Sequence, residues 1–389
     1  MQNGMLVLAV ICAVSLATPG VAPRADDRGF AVDARYRVES VLDDALPERA
    51  LASTLRLRLG YLSSGWQGWQ AFVEFEGVHE IGRDRYNSTA NGRTGLPVVA
   101  DPQGAELNQA YLSRGIGGGM LRLGRQRINI ANQRFIGAVE FRQNEQTFDA
   151  VMLKLPASGG SLQLGFMSQV NRVYGADHPY EMLAVTDTRT LLLDYERTFA
   201  GVVAATYAHL IELPDSPAAS HRNIGIRVGA KHGRFDWRAE IASQDDYGDG
   251  AERIHADYHR IDLCWDFEAI HLGIVREVLE GDGTYSLQTP FATLHAFNGA
   301  ADKFAMTPPG GLVDDAVHLR GRREAWEYGA SFHRFQADAG SVHYGDEFDA
   351  YAVRPVGERL NVRLEIADYS ADSFAEDTLK VWFTLQARF

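Results

Sequence analysis

Cysteine is nearly absent: the 389-residue chain carries only Cys12 and Cys264, and Cys12 lies in an apolar N-terminal run. The mature chain is therefore expected to keep Cys264 alone, and a metal cluster built on cysteines is excluded. Lysine is almost as scarce. Lys154, Lys231, Lys303 and Lys380 are the only four, so 34 of the 38 basic residues are arginines. Positive charge is in deficit overall, with a formal net charge of -13, which argues against nucleic acid as a partner because such a partner needs a basic face. Long apolar runs are missing as well. Only Met5 to Ala17, MLVLAVICAVSLA, stands out, and it has the length of a signal-peptide core while being too short to cross a bilayer as a helix. Residues 1–25 are read as a secretory signal, cleaved between Ala17 and Ala25, and residues 26–389 as the mature domain. No later stretch approaches the ~20 apolar residues of a helical span.

What the chain does have is alternation. From Leu379 to Phe389, Leu379, Val381, Phe383, Leu385, Ala387 and Phe389 alternate with Lys380, Trp382, Thr384, Gln386 and Arg388. A two-residue period that ends on an aromatic terminus predicts the closing strand of an outer-membrane barrel, one face in lipid and the other in the lumen. The same pattern opens the mature chain. Val32, Ala34, Tyr36 and Val38 alternate with Asp33, Arg35, Arg37 and Glu39; Leu55, Leu57, Leu59 and Tyr61 stand against Thr54, Arg56 and Arg58; Ala71, Val73 and Phe75 oppose Phe72, Glu74 and Glu76. Continued along the sequence, the rule yields about eighteen strands of roughly the nine to eleven residues that a tilted membrane strand requires.

The connections strengthen that reading. Short links such as 114–118, 156–160, 198–201 and 321–324 alternate without exception with longer ones such as 77–106, 125–147, 171–189 and 280–311. Brief periplasmic turns and extended outer loops are the arrangement of outer-membrane barrels. A soluble propeller would show a repeat of about forty residues, and none is found. The predicted fold class is thus all-β: a transmembrane antiparallel β-barrel of about eighteen strands.

Two stretches carry a family likeness. Residues 123–137, LGRQRINIANQRFIG, continued by FRQNEQTFD at 141–149, resemble the motif block of the alginate export family of outer-membrane proteins, and TPFATLHAFNG at 289–299, ADKF at 301–304 and TPP at 307–309 are similar to that family's long-loop motif. The resemblance implies a monomeric eighteen-stranded barrel that passes a polyanion through an arginine-rich lumen with a few carboxylates at the constriction. By motif it places Arg125, Arg127, Arg134 and Arg142 in an in-folded loop, with Glu145 and Asp149 at the return of that loop to the wall. Strand parity independently assigns Arg35, Arg37, Arg56, Arg58, Arg122 and Arg363 to the lumen, each being the polar partner of an apolar face.

Arginine suits a sugar-acid path because its planar fork grips a carboxylate with two hydrogen bonds, and rings of basic side chains favour anions. The competing reading is that Arg35, Arg37, Asp33 and Glu39 pair across strands and stiffen the wall. Two further motifs carry metal-ligand residue types. Gln244 to Gly250, QDDYGDG, has oxygen ligands for calcium but departs from EF-hand spacing and reads as a solvated loop. His255, Asp257 and His259 share a strand face, yet the sequence offers them no further partner, and a plain polar lumen or rim is the simpler assignment. The function expected is a non-enzymatic outer-membrane channel for an anionic polysaccharide or a small anionic or sugar-like solute, with no cofactor and no catalytic residues. Its partners would be that solute, outer-membrane lipid and, through the closing strand, the assembly machinery. The alternatives are a lipase-like barrel, which would need a Ser, His and Asn or Asp set on the lipid-facing side and for which His333 beside the face of Ser331 comes nearest, and a closed structural barrel.

Overall fold

The computed structural model describes residues 29–82 and 85–389, so the signal reading of residues 1–25 lies outside the described residues. Eighteen strands follow in chain order: β1 (Gly29–Asp43), β2 (Ala50–Leu62), β3 (Trp69–Glu80), β4 (Gly104–Ile116), β5 (Gly119–Gln126), β6 (Thr147–Ala157), β7 (Gly160–Asn171), β8 (Val185–Phe199), β9 (Val202–Ile211), β10 (His221–His232), β11 (Phe235–Asp246), β12 (His255–Phe267), β13 (Ile270–Leu279), β14 (Leu312–Arg323), β15 (Trp326–Gln336), β16 (His343–Val356), β17 (Leu360–Ala371) and β18 (Thr378–Arg388). Each pairs antiparallel with the next. β18 returns to β1 in one register, from Asp33 opposite Arg388 to Asp43 opposite Thr378. The sheet is therefore closed and has no edge, so every strand satisfies its backbone groups within the wall, as a membrane demands.

Alternation decides which side chains face out. On β2, Leu55, Leu57, Leu59 and Tyr61 are exposed while Thr54, Arg56 and Arg58 are buried. On β18, Val381 is exposed on the face it shares with Phe383 and Leu385, whereas Trp382 is buried inside. This inversion, greasy side chains outside and charge inside, is stable only where the outer solvent is hydrocarbon. The tight turns use backbone that the sequence supplies. Gly117 and Gly118 join β4 to β5 with φ of 57° and 80°, and Ser158 and Gly159 join β6 to β7 with φ of 46° and 77°, the double left-handed conformation that matches strand twist in a two-residue hairpin.

A barrel of this size encloses more space than wall side chains can fill. Here two long-loop segments fold inward, 127–146 between β5 and β6 and 280–311 between β13 and β14, and they meet in a parallel bridge between Ile136 and Phe291. Ile128, Phe135, Ile136 and Phe141 from the first and Leu287, Phe291 and Phe304 from the second pack with the wall residues Tyr207, Tyr258 and Trp382 in one apolar cluster inside the barrel. The strands match those predicted, with differences at the long-loop ends. β8 begins at Val185 rather than Thr190, and β16 at His343 rather than Phe348. Both extensions carry pairing shifts, at Met167/Gln169 and at Phe335/Gln336. Above the lipid no apolar face is required, so pairing continues where the sequence alternation has stopped.

Candidate transport pathway

Register brings the arginines of the wall together. Arg35 on β1 lies directly opposite Arg56 on β2, and Asp33 opposite Arg58. Like charges in such positions repel unless acids stand among them, and acids do. Arg56 Nη2 donates to Asp33 Oδ1 at 2.5 Å, Arg58 bonds Glu76 through Nε and approaches Glu145 Oε2 at 3.0 Å, and Arg37 Nη1 lies 3.9 Å from Asp101. Arg363 on β17 pairs with Glu365 at 2.8 Å and sits over the Tyr351 ring. Arg122 on β5 forms no ion pair among the described residues and lies with Cζ 4.5 Å from the centre of the Tyr111 ring. Arg35 likewise lacks an acid. Its Nη1 instead donates to the carbonyls of Glu140, Phe141 and Arg142 at 3.0, 3.1 and 3.2 Å, so one wall arginine suspends the first in-folded segment by its backbone. Nε of Arg35, Nε and Nη1 of Arg56 and Nε of Arg122 have no protein acceptor.

The segment 127–146 is tied at both ends and at its tip. Arg127 donates to Glu145 and, at 2.9 Å, to Glu74 of the wall. Arg134 reaches Glu277 on β13 at 3.1 Å and Asn298 of the second segment at 2.9 Å, over the Phe297 ring. Val139 is held at a φ of 52° while its N–H donates to Thr293 at 3.2 Å; a β-branched residue in that region stores roughly 1–3 kcal/mol of strain, which only surrounding contacts can sustain. Arg142 joins three parts of the lumen, bonding Glu39 of β1 at 3.3 Å and Asp302 of the second segment at 2.9 Å. Asp302 in turn accepts from His295 at 2.8 Å and from Lys380 of β18 at 3.1 Å. Burial alone would raise the Asp302 carboxyl, but His295, Lys380 and Arg142 hold it well below the ordinary carboxylate value. For Arg142, burial works against the charge and Glu39 and Asp302 outweigh it, placing the guanidinium above its ordinary value. Glu145 is also buried, and Arg127 and Arg58 keep it below its ordinary value.

Ten of the twelve residues named from the sequence thus lie inside the barrel. Arg125 and Asp149 do not. Arg125 is a residue of β5, not of the in-folded loop, on the face of Leu121 and Leu123, and Asp149 is its cross-strand partner on β6, on the face of Val151. They pair bidentately at 2.7 and 3.1 Å on the outer surface. The family motif had drawn both inward, but strand parity puts them out. The lumen also differs from the expected one in its acids, which are not few. Round the wall from the arginines, Glu277, Asp314, Glu347 and Asp349 are buried together with His318 and His333, and Glu347 accepts from the N–H of Ala301 at 2.7 Å. Asp302, His295 and Lys380 went unnamed as functional residues. The long-loop motif contained the first two, and Lys380 stood on the polar face of the closing strand, but nothing in the spacing predicts that three cation-bearing groups meet one acid.

Between the wall and the base of the first segment lies a cavity of about 320 Å³. Arg122, Arg127 and Lys154 bring positive charge to it, Tyr111, Phe72 and Met152 apolar surface, and Glu140 an acid. Such a mixture suits a ligand with a flat or ring-shaped body and an anionic group. Ser331 and His333, the nearest candidates for a lipase, face the lumen; Ser331 donates to Asp349 at 3.3 Å and His333 lies between Asp314 and Asp349. Neither stands on the lipid-facing side that such a reaction would require.

Solved structures with the same architecture include Pseudomonas aeruginosa OpdK with vanillate (13% identity, TM-score 0.71, 92% of this chain and 98% of that one), Pseudomonas aeruginosa OccK9 (15%, 0.72, 93% and 98%) and Acinetobacter baumannii OccAB4 (12%, 0.73, 95% and 100%). At these identities the likeness is one of fold. No curated protein matches the chain in sequence. The sequence model described as alginate export matches residues 27–272, more than half of the chain, and the chain therefore belongs to the alginate export family, as a porin-like β-barrel of the bacterial outer membrane.

Proposed function

We propose that this barrel conducts an anionic solute, a uronate-type polysaccharide or a small sugar acid, along the arginines of β1, β2 and β5. The observation that carries the proposal is the set of guanidinium nitrogens at Arg35, Arg56 and Arg122 that bond no protein acceptor. A carboxylate that reaches this face meets donors in sequence, each able to hold it in a charge-assisted bond. The remaining arginines, Arg37, Arg58, Arg127, Arg134, Arg142 and Arg363, are paired with acids, as Arg56 is with Asp33 through Nη2 alone; their part is to shape the lumen and hold the in-folded segments. The neighbouring cavity with Arg122 and Arg127 offers a resting place for one sugar-sized unit. The outward pair Arg125–Asp149 takes no part.

The test is current through the purified barrel in planar bilayers with oligouronates added. Concentration-dependent block by oligouronates, absent with neutral oligosaccharides of equal length, and weakened about tenfold or more in Arg56→Ala and Arg122→Ala, is the expected result, since a charge-assisted bond contributes ~1.5–3 kcal/mol. Equal block by charged and neutral oligomers, or block unaltered in both variants, would refute the proposal.

A further inference from the structure

The outer rim of β11–β13 holds an arrangement unrelated to the lumen. Asp257 and His259 on β12 and Glu280, immediately after β13, bring one ligand atom each to within 4.8 Å of one another. In sequence the two β12 residues had no further partner; the barrel supplies it, because Tyr258 pairs with Leu279 and so sets Asp257 beside Glu280. Backbone bonds fix this juxtaposition. Glu280 N–H donates to the Asp257 carbonyl at 3.0 Å, and Asp257 N–H donates to Glu280 Oε2 at 2.9 Å. The second bond orients the Glu280 carboxylate and leaves Oε1 directed at His259, 3.4 Å from Nε2. Around a tetrahedral metal with bonds of ~2.05 Å, neighbouring ligand atoms stand about 3.3 Å apart, so this edge already has the right length. His255, two residues before Asp257 on the same face, is engaged by Asp245 through Nδ1 at 2.8 Å. That is the carboxylate–imidazole arrangement that usually backs a metal ligand, and it leaves Nε2 as the ring's unengaged nitrogen.

We infer that Asp257, His259 and Glu280 form a binding site for one divalent transition-metal ion of the zinc class on the outer surface of the barrel. Two carboxylates balance the charge of the ion. The imidazole nitrogen selects a borderline metal over calcium or magnesium, which prefer six or more oxygens. The site lies at the border of the apolar band, since Ile241, opposite His259, and Ile261, two residues further along β12, are exposed. A fourth ligand position is open to water, to His255 or to an anionic group of the surroundings.

The full-length barrel, purified in detergent and stripped with chelator, is titrated calorimetrically with zinc chloride, with heat-modifiable gel migration confirming that every variant is folded. The expected result is one equivalent of zinc bound, with affinity lowered about 10–100-fold or more in His259→Ala and in Glu280→Gln. It should be unchanged in His271→Ala, which removes another half-exposed His–Asp pair at the opposite end of the barrel. A tenfold excess of calcium should leave zinc binding unaltered. No stoichiometric zinc binding to the wild type, equal affinity in His259→Ala, or displacement by calcium, the behaviour of a plain acidic patch, would each overturn the inference.

Discussion

Asp302 gathers Arg142 from the first in-folded segment, His295 from its own and Lys380 from the closing strand. Removing one partner of such a buried network leaves the others uncompensated and typically costs about 3–5 kcal/mol. Asp302→Ala is therefore expected to lower the midpoint of urea unfolding and to increase channel noise as both segments loosen; a quiet, equally stable channel would show that Asp302 is not their junction. The pH dependence has a definite sign. A carboxylate whose folded value is depressed contributes stability that is fully present above its ordinary value of 3.8 and lost only as pH falls through the lowered one. The Asp302 junction should thus survive between about pH 7 and pH 5, and conductance noise that is the same at both would bear this out. At Arg125 strand parity and family motif point to opposite faces. This arginine follows Leu121 and Leu123 at two-residue spacing, so parity alone put it outside, while a motif pulled it in. With side chains 26% and 28% exposed, the Arg125–Asp149 pair is of the surface kind, contributing ~0–1 kcal/mol. Arg125→Ala should leave ion selectivity unaltered; a shifted selectivity would return that residue to the path.

The strands were the most legible elements, because lipid outside and water inside impose a two-residue period that composition cannot hide. β2 and β18 are the clearest, their outward faces apolar but for Ser53. Leu57, 42% exposed on β2, marks the lipid face near mid-strand, and Leu57→Arg is expected to destabilise the folded barrel in bilayers by roughly 2–4 kcal/mol. Folding titrations in urea measure this, and a neutral effect would mean that Leu57 does not face hydrocarbon. Where the two-sided solvent constraint lapses the sequence goes quiet. The outer ends of β8 and β16 pair through bulges, so the strands begin several residues before the apolar alternation does. The inward fold of segments 127–146 and 280–311 was less visible still. Their apolar residues, such as Ile136 and Phe291, follow no period because they pack on each other rather than on a regular sheet.

For the whole molecule, the balance of charge inside the barrel is the feature that composition obscured. A net charge of -13 sits awkwardly with an anion path. The structure eases this only in part, since Glu74, Glu76, Glu145, Glu277, Glu347 and Asp349 are buried inside along with the arginines. Most of those acids neutralise cations that hold the in-folded segments, and guanidinium nitrogens without a protein acceptor remain on β1, β2 and β5, at Arg35, Arg37, Arg56, Arg58 and Arg122, with others at Arg134 and Arg363 that lie beside acids. Selectivity should therefore depend on a few residues rather than on overall charge. The most direct test is the reversal potential of the open barrel across a potassium chloride gradient, for the wild type and for Arg35→Ala/Arg56→Ala/Arg122→Ala. Anion selectivity in the wild type that falls towards zero or reverses in the triple variant is the predicted result. A cation-selective wild type, or a triple variant with the same reversal potential, would contradict it.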